Sequence, residues 1–142
     1  GMELPIGNSN AMVYLVPAHY CHSSGNFSCY DPQADILFSG DIGSALLPDQ
    51  KQPLFVKNFE EHTGLMKAFH QRWMPSKDAL EKWVKRIRLI NPAMIAPQHG
   101  SIFKGEDVGR LLDWLENLDV GIWDSAQEEE DINKSIWMKW KK

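Results

Sequence analysis

The sequence predicts an α/β fold in which helices cover one face of a β-sheet. Short runs rich in β-forming residues fill the first part of the chain, helical periodicity dominates the middle, and one more strand and helix follow. Because helices bury their apolar stripes against a sheet, this order of elements predicts a layered unit. We assign residues 1–121 to this domain and residues 122–142 to a tail.

Three strands are predicted at 11–17, 27–30 and 35–39. The first ends at a proline, and the third stops at Gly40 and leaves Asp41 at its carboxyl end. Between the second and third strands, Asp31-Pro32-Gln33 has the composition of a tight turn, since proline presets φ and aspartate bonds its own backbone. These two strands are therefore expected to form a hairpin.

Two helices are predicted after a loop at 43–58. The first begins near Phe59 and ends before Pro75. Ser76 is the expected N-cap of the second, which Asn91-Pro92 ends. The apolar stripes at spacings of three and four are Leu65, Met66, Phe69 and Trp73 in the first helix, and Leu80, Trp83, Val84, Ile87 and Ile90 in the second.

A buried strand is predicted at 93–97, and His99 lies just after its end. A further amphipathic helix follows. Its apolar side is formed by Val108, Leu111, Leu112, Leu115 and Leu118. In the tail, Ile136, Trp137 and Trp140 lie at helical spacing, which favours a docked terminal helix over a disordered segment.

Composition excludes several classes of protein. The chain has 142 residues, 43% hydrophobic and 24% charged, which is typical of one globular domain. A net charge of -4 argues against a nucleic-acid binder, because phosphate contacts need a concentrated basic surface. No apolar stretch approaches the roughly 20 residues of a membrane span. Two cysteines form no disulfide framework, so a cytoplasmic location is expected.

Ligand-type side chains follow three of the predicted elements. His22 and Asp41 lie in the stretch from Val16 to Ser44, and His99 follows the late strand. Side chains at neighbouring strand ends converge, and imidazole and carboxylate groups are ligands for transition metals. The alternative is that Asp41 caps a turn and each histidine satisfies a local hydrogen bond. Spacing alone slightly favours this alternative.

Other chemistry-bearing residues receive simpler interpretations. His19, three residues before His22, is expected to support the site rather than bind the metal directly. Cys21 is expected to be a small buried side chain. His62 and His70 are eight residues apart, which is not the spacing of two metal ligands on one helix. We interpret Glu60, Glu61 and His62 as polar residues at the start of a helix.

Four phrases carry a family resemblance: HSSGNFSCYDP, ILFSGD, FHQRWMPS and IAPQHG. In this order they resemble the second half of the metallo-β-lactamase fold, and they are closer to flavodiiron and oxygen-binding diiron proteins than to hydrolases. The resemblance implies half of an αββα sandwich. It also implies that His22 holds one iron, His99 the other, and Asp41 bridges both.

The departures from that family are informative. Its other ligands come from an HxExDH-type motif in the first half of the fold, and this motif is missing here. The chain therefore resembles a C-terminal half whose metal site is incomplete. A flavodoxin domain is also missing, so FMN is not expected. The exposed sheet face implies a partner, either a homodimer or a separate N-terminal half, with oxygen as the small-molecule substrate.

Two alternatives to a diiron oxygen-binding or oxygen-reducing protein remain. One is a hydrolase of the same fold, in which zinc lowers the pKa of a bound water. The other is a catalytically inert half-domain that acts only as an interaction module. The metal content distinguishes all three.

Overall fold

A single mixed sheet organises the protein, and the computed structural model describes residues 2–8, 10–46 and 53–121. The strands run in sheet order β1 (Met2–Pro5), β2 (Met12–Pro17), β3 (Phe27–Asp31), β4 (Ile36–Gly40), β5 (Met94–Pro97) and β6 (Phe103–Lys104). The helices are α1 (Phe59–Trp73), α2 (Lys77–Ile90) and α3 (Glu106–Asn117). The predicted α/β class is confirmed.

Strands β1 to β4 are antiparallel neighbours, β4 and β5 are parallel, and β6 returns antiparallel to β5. Strands β2, β4 and β5 therefore end at the same edge of the sheet. The four predicted strands are all present. The sequence did not predict β1 and β6, because β1 is exposed along its whole length and β6 has only two residues.

The predicted hairpin joins β3 to β4. The Asp31 side chain accepts hydrogen bonds from the backbone N–H groups of Gln33 and Ala34, at 2.9 and 3.2 Å. Asp35 then adopts a φ of 54°, and its carboxylate accepts a 2.7 Å bond from the Tyr30 hydroxyl. The turn chemistry predicted for this segment is confirmed.

The two ends of helix α2 lie where the sequence predicted them. The Ser76 side chain caps the first turn by accepting a bond from the Ala79 N–H, and Asn91 ends the helix in the left-handed conformation. Trp83 is fully buried, and its indole N–H donates to the Ser28 hydroxyl of β3 at 3.0 Å. This bond satisfies the polar group of the largest core side chain.

The buried face of α1 differs from the prediction. Met66 is buried, but Leu65 and Trp73 are 39% and 45% exposed. The buried positions are instead Phe59, His62, Thr63, Met66 and His70. Two histidines thus replace two apolar residues of the predicted stripe. The His70 ring is hydrogen-bonded at both nitrogens, and the His62 ring packs against Phe103.

Successive side chains along each strand lie on opposite faces of the sheet. One face carries buried residues such as Val16, Leu37 and Ile95, which belong to the same core as the helix stripes. On the opposite face, Leu15, Cys29 and Phe38 are neighbours through the strand register. Phe38 keeps 50% of its surface exposed. The prediction that helices cover one face is confirmed.

None of the helices in the described part of the chain is long and apolar enough to cross a bilayer. The predicted terminal helix in the tail lies outside the described residues.

Candidate metal centre

The three predicted ligands lie together at one edge of the sheet. His22 Nε2 is 3.7 Å from Asp41 Oδ2, and His99 Nε2 is 3.9 Å from Asp41 Oδ1. Each carboxylate oxygen therefore faces a different histidine. Topology explains the arrangement, because Asp41 and His99 follow the parallel strands β4 and β5, and His22 follows β2 at the same edge.

His22 lies in a turn with an unusual backbone. Its φ is 77° and that of Tyr20 is 61°, both in the left-handed region that non-glycine residues seldom adopt. Hydrogen bonds hold the turn from both sides. The Tyr20 N–H donates to the Ser23 carbonyl at 2.9 Å, and the Asn26 amide donates to the Cys21 carbonyl at 2.7 Å. Such over-determined strain is common at functional sites.

The loop that carries Asp41 is bonded to the loop that carries His99. The Gln98 N–H donates to the Gly40 carbonyl at 2.7 Å, and the Ala45 N–H donates to the His99 carbonyl at 3.1 Å. From strand β4, the buried Ser39 hydroxyl donates to the Ile42 carbonyl of the first loop at 2.6 Å. These bonds give Asp41 and His99 one shared support.

His70 fixes the same loop from helix α1. Its Nε2 accepts a 2.9 Å bond from the Gly43 N–H, and its Nδ1 lies 2.9 Å from the Met66 carbonyl. These two bonds require a neutral ring that is protonated at Nδ1. Burial lowers the pKa of His70 to about 4, which keeps it neutral at ordinary pH.

The sequence prediction missed this role of His70. Its spacing of four from Met66 was compatible with a buried position, but its bond to Gly43 joins residues 27 apart in the chain. Only the tertiary structure shows that contact.

His62 is also buried, which corrects its interpretation as a polar helix start. Its ring packs edge-on against Phe103 with centroids 5.4 Å apart, and burial lowers its pKa. Its Nε2 has no hydrogen-bond partner in the described part of the chain. Glu60 and Glu61 do lie in the first turn of α1, where acidic groups suit the helix dipole.

Two other predicted residues lie on the same loop as His22. His19 is exposed and contacts the edge of the Phe27 ring, with centroids 4.8 Å apart. Among the described residues no hydrogen bond joins it to the three predicted ligands, so its supporting role stays a prediction. Cys21 is buried, and burial raises its pKa to about 12. Its interpretation as a small buried side chain is confirmed.

The donor set fits a transition metal pair only in part. Two atoms bound to one such ion at about 2.0–2.2 Å lie roughly 3–4 Å apart, which matches both His–Asp separations. No group of three or more His, Cys, Asp or Glu side chains in the described ranges is placed to hold a metal ion. Among these residues, each Asp41 oxygen has one histidine nitrogen within the separation that a shared ion would allow.

Comparisons with known proteins identify similar folds. The chain matches the family model described as ODP family beta lactamase over residues 1–100. It is 44% identical to the apo state of chemotaxis sensor ODP from T. denticola, with a TM-score of 0.80. A peroxy diiron species of chemotaxis sensor ODP gives the same identity and a TM-score of 0.78. Both alignments cover 86% of this chain and 50% of the sensor chain, so the chain spans about half the sensor's length.

More distant structures share the fold alone. The flavodiiron protein from Giardia intestinalis is 17% identical, with a TM-score of 0.71, and the alignment covers 81% of this chain and 28% of that chain. The rubredoxin oxygen:oxidoreductase from Desulfovibrio gigas gives the same identity and TM-score, with 82% and 29% covered. No curated protein matches the chain.

Proposed function

We propose, on the premise that this chain belongs to the ODP family beta lactamases, that it supplies one wall of a diiron site that binds or reduces oxygen. The predicted resemblance to metallo-β-lactamase-fold diiron proteins is confirmed by that membership. In the proposed site, His22 binds one iron, His99 binds the other, and Asp41 bridges the pair.

One observation carries this proposal. The two oxygens of Asp41 face two different histidines, at 3.7 and 3.9 Å. A carboxylate that only capped a turn would have no reason to be approached by an imidazole at each oxygen. A carboxylate that bridges two cations needs this arrangement, because each oxygen must share an ion with a different neutral donor. The related chemotaxis sensor ODP forms a peroxy diiron species, which supports iron as the metal.

The described residues do not fill the proposed site, so we propose that further ligands come from another polypeptide. A histidine and one carboxylate oxygen leave a transition metal short of its usual four or more ligands. The related sensor is about twice the length of the aligned region, and the apolar face around Phe38 offers a surface for the other half. We therefore propose a first-half polypeptide as the partner, in preference to a second copy of this chain.

The residues of this chain have separable tasks in the proposed site. Bound iron supplies the electrons for oxygen chemistry. Asp41 would supply negative charge to bound cations, and His70 and Ser39 fix the loop from which Asp41 projects. The neutral ring of His70 adds no positive charge beside the metals. The chain thus fixes ligand geometry before any metal binds.

A second candidate is a half-domain that works only as an interaction module. It is favoured by the small number of ligands that residues 2–8, 10–46 and 53–121 offer to each ion. In this case the apolar sheet face would still bind a partner, but the complex would contain no iron.

Metal analysis of the assembled protein tests these candidates. The chain is mixed without oxygen with a first-half polypeptide from the related sensor, supplied with Fe²⁺ and desalted. We expect two irons per complex, far less iron on the chain alone, and a changed absorption spectrum after exposure to air. An iron-free complex would support the interaction module. Bound zinc with hydrolytic turnover would support the hydrolase and contradict the diiron proposal.

A further inference from the structure

Trp73 has an environment that core packing does not explain. It is 45% exposed at the end of α1, although its spacing predicts a core position. Its ring lies nearly parallel to that of His22, with centroids 5.7 Å apart and planes at 29°. Phe69, one turn earlier, lies parallel to the same imidazole at 6.1 Å and 19°. Helix α1 thus presents two aromatic rings to one proposed ligand.

The backbone of His22 does not fix the direction of its ring. The left-handed turn sets the position of the Cα atom, but the imidazole can still rotate about two side-chain torsions. The ring makes no hydrogen bond within the described ranges, and its Nε2 is 3.7 Å from the Asp41 carboxylate. The two aromatic neighbours are therefore the contacts that restrict its rotation.

We propose that Trp73 and Phe69 position the His22 ring so that Nε2 faces Asp41, and that Trp73 thereby sets the affinity of one of the two metal positions. This inference rests on the proposed function. Metal-bound histidines usually gain their orientation from a hydrogen bond at the second nitrogen. Here ring stacking performs that task, and Trp73 is a positioning residue that contacts a ligand without binding the metal.

A second neighbour also contacts Trp73. The Arg72 guanidinium lies 5.7 Å from the centroid of the Trp73 ring. A cation over an aromatic face is attracted to the ring, so Arg72 helps to hold the indole at the surface. Phe69, Arg72 and Trp73 all lie in or beside the last turn of α1.

The first test needs no metal. In the isolated chain, NMR measures the ring-proton shifts and side-chain rotamers of His22 in the wild type, W73A, W73F and a control, L65A. Leu65 is also a partly exposed apolar residue of α1. We expect one dominant rotamer with ring-current-shifted signals in the wild type and L65A, rotamer averaging in W73A, and near-complete rescue in W73F. Unchanged His22 signals in W73A would overturn the inference.

The second test measures metal affinity. In the complex with the first-half polypeptide, Co²⁺ binding is titrated by absorption for the same variants and for H22A. We expect W73A to weaken one of the two binding steps by about 10-fold, within the range known for residues that orient metal ligands. W73F and L65A should bind as the wild type does.

The outcomes separate this inference from the function on which it rests. If H22A loses one ion while W73A binds like the wild type, the proposed site stands and the positioning role is wrong. If the wild type binds no more Co²⁺ than H22A, both the proposed site and the positioning role are wrong.

Discussion

At the scale of single residues, the proposed site depends on backbone conformations that ordinary side chains avoid. His22 has a φ of 77°, and the glycines on the two other ligand loops, Gly43 and Gly100, have φ values of 93° and 96°. A Cβ at Gly100 would lie 3.0 Å from the Ala45 Cβ and 3.1 Å from the Ala45 nitrogen. That nitrogen donates to the His99 carbonyl, so the position of His99 depends on this close approach.

Gly100→Ala should destabilise the protein and displace His99. The added methyl group meets both a strained φ and the Ala45 backbone, so we expect a loss of about 2 kcal/mol or more in the free energy of unfolding. Urea denaturation measures that loss. Gly109→Ala is the matched control, because Gly109 lies in α3 with no atom near its missing Cβ. It should be neutral or slightly stabilising. Equal effects of the two substitutions would contradict this account of Gly100.

His70 should make stability depend on pH. Its pKa is about 4 in the folded protein and near 6.5 when unfolded, so below pH 6.5 the unfolded chain binds a proton that the folded chain does not. Stability should therefore fall as the pH drops from about 6.5 to about 4. The full loss is about 3 kcal/mol, by the usual relation between pKa shift and free energy. Urea denaturation of the metal-free chain at several pH values measures it.

His70→Gln provides the comparison, because a glutamine amide can still accept a bond from Gly43 but does not titrate. The variant should lose most of this pH dependence. Some will remain, because the pKa of His62 is lowered in the same direction. An unchanged pH profile in the glutamine variant would show that His70 is not the group responsible.

At the scale of elements, the sequence predicted the parts that local chemistry determines. Ser76 and Asn91 mark the ends of α2 because capping is a property of neighbouring residues. Asp31 marks the hairpin for the same reason. The buried face of α1 was predicted only in part, because periodicity treats histidine as polar and cannot anticipate the bond from Gly43 to His70. The three candidate ligands were identified from ligand chemistry and strand ends, whereas the stack of Trp73 on His22 required the structure.

Lys77 joins the start of α2 to the end of α3. No basic residue lies in the last turn of α3, and Lys77 of α2 instead donates to the carbonyls of Glu116 and Leu118. Its ammonium group thus satisfies two carbonyls that the helix itself leaves without partners. It also places a positive charge at the negative end of the helix dipole.

Lys77→Met should therefore loosen the end of α3. We expect a loss of about 2 kcal/mol in the free energy of unfolding, since hydrogen bonds from a charged donor are among the stronger ones. Faster hydrogen exchange in the last turn of α3 should accompany it. Lys82→Met on the same helix removes only an exposed ion pair with Asp78 and should change stability by a few tenths of a kcal/mol. A similar small effect at Lys77 would mean that its two bonds do not cap the helix.

At the scale of the whole molecule, the sheet has one covered face and one apolar face. Phe38 lies at the centre of the second face, between Cys29 and Ala96 in the strand register. Large apolar patches on soluble proteins usually mark interaction surfaces. This face supports the proposed first-half partner.

Phe38→Lys should prevent that partner from binding. The substitution places a charge in the proposed interface and leaves the covered face of the sheet unchanged. Light scattering of mixtures with the first-half polypeptide should show a complex for the wild type and separate chains for the variant. Circular dichroism should show the same fold for both. A variant that still forms the complex would place the interface elsewhere.

The most direct test of the proposed site is the number of metal ions bound by complexes that contain H22A, H99A or D41A. The proposal assigns one ion to His22, the other to His99 and both to Asp41, on the two His–Asp separations of 3.7 and 3.9 Å. Inductively coupled plasma mass spectrometry of the desalted complexes should therefore find about one iron in each histidine variant and close to none in D41A. Two irons in D41A, or equal iron in all three variants and the wild type, would contradict a bridged pair at this edge of the sheet.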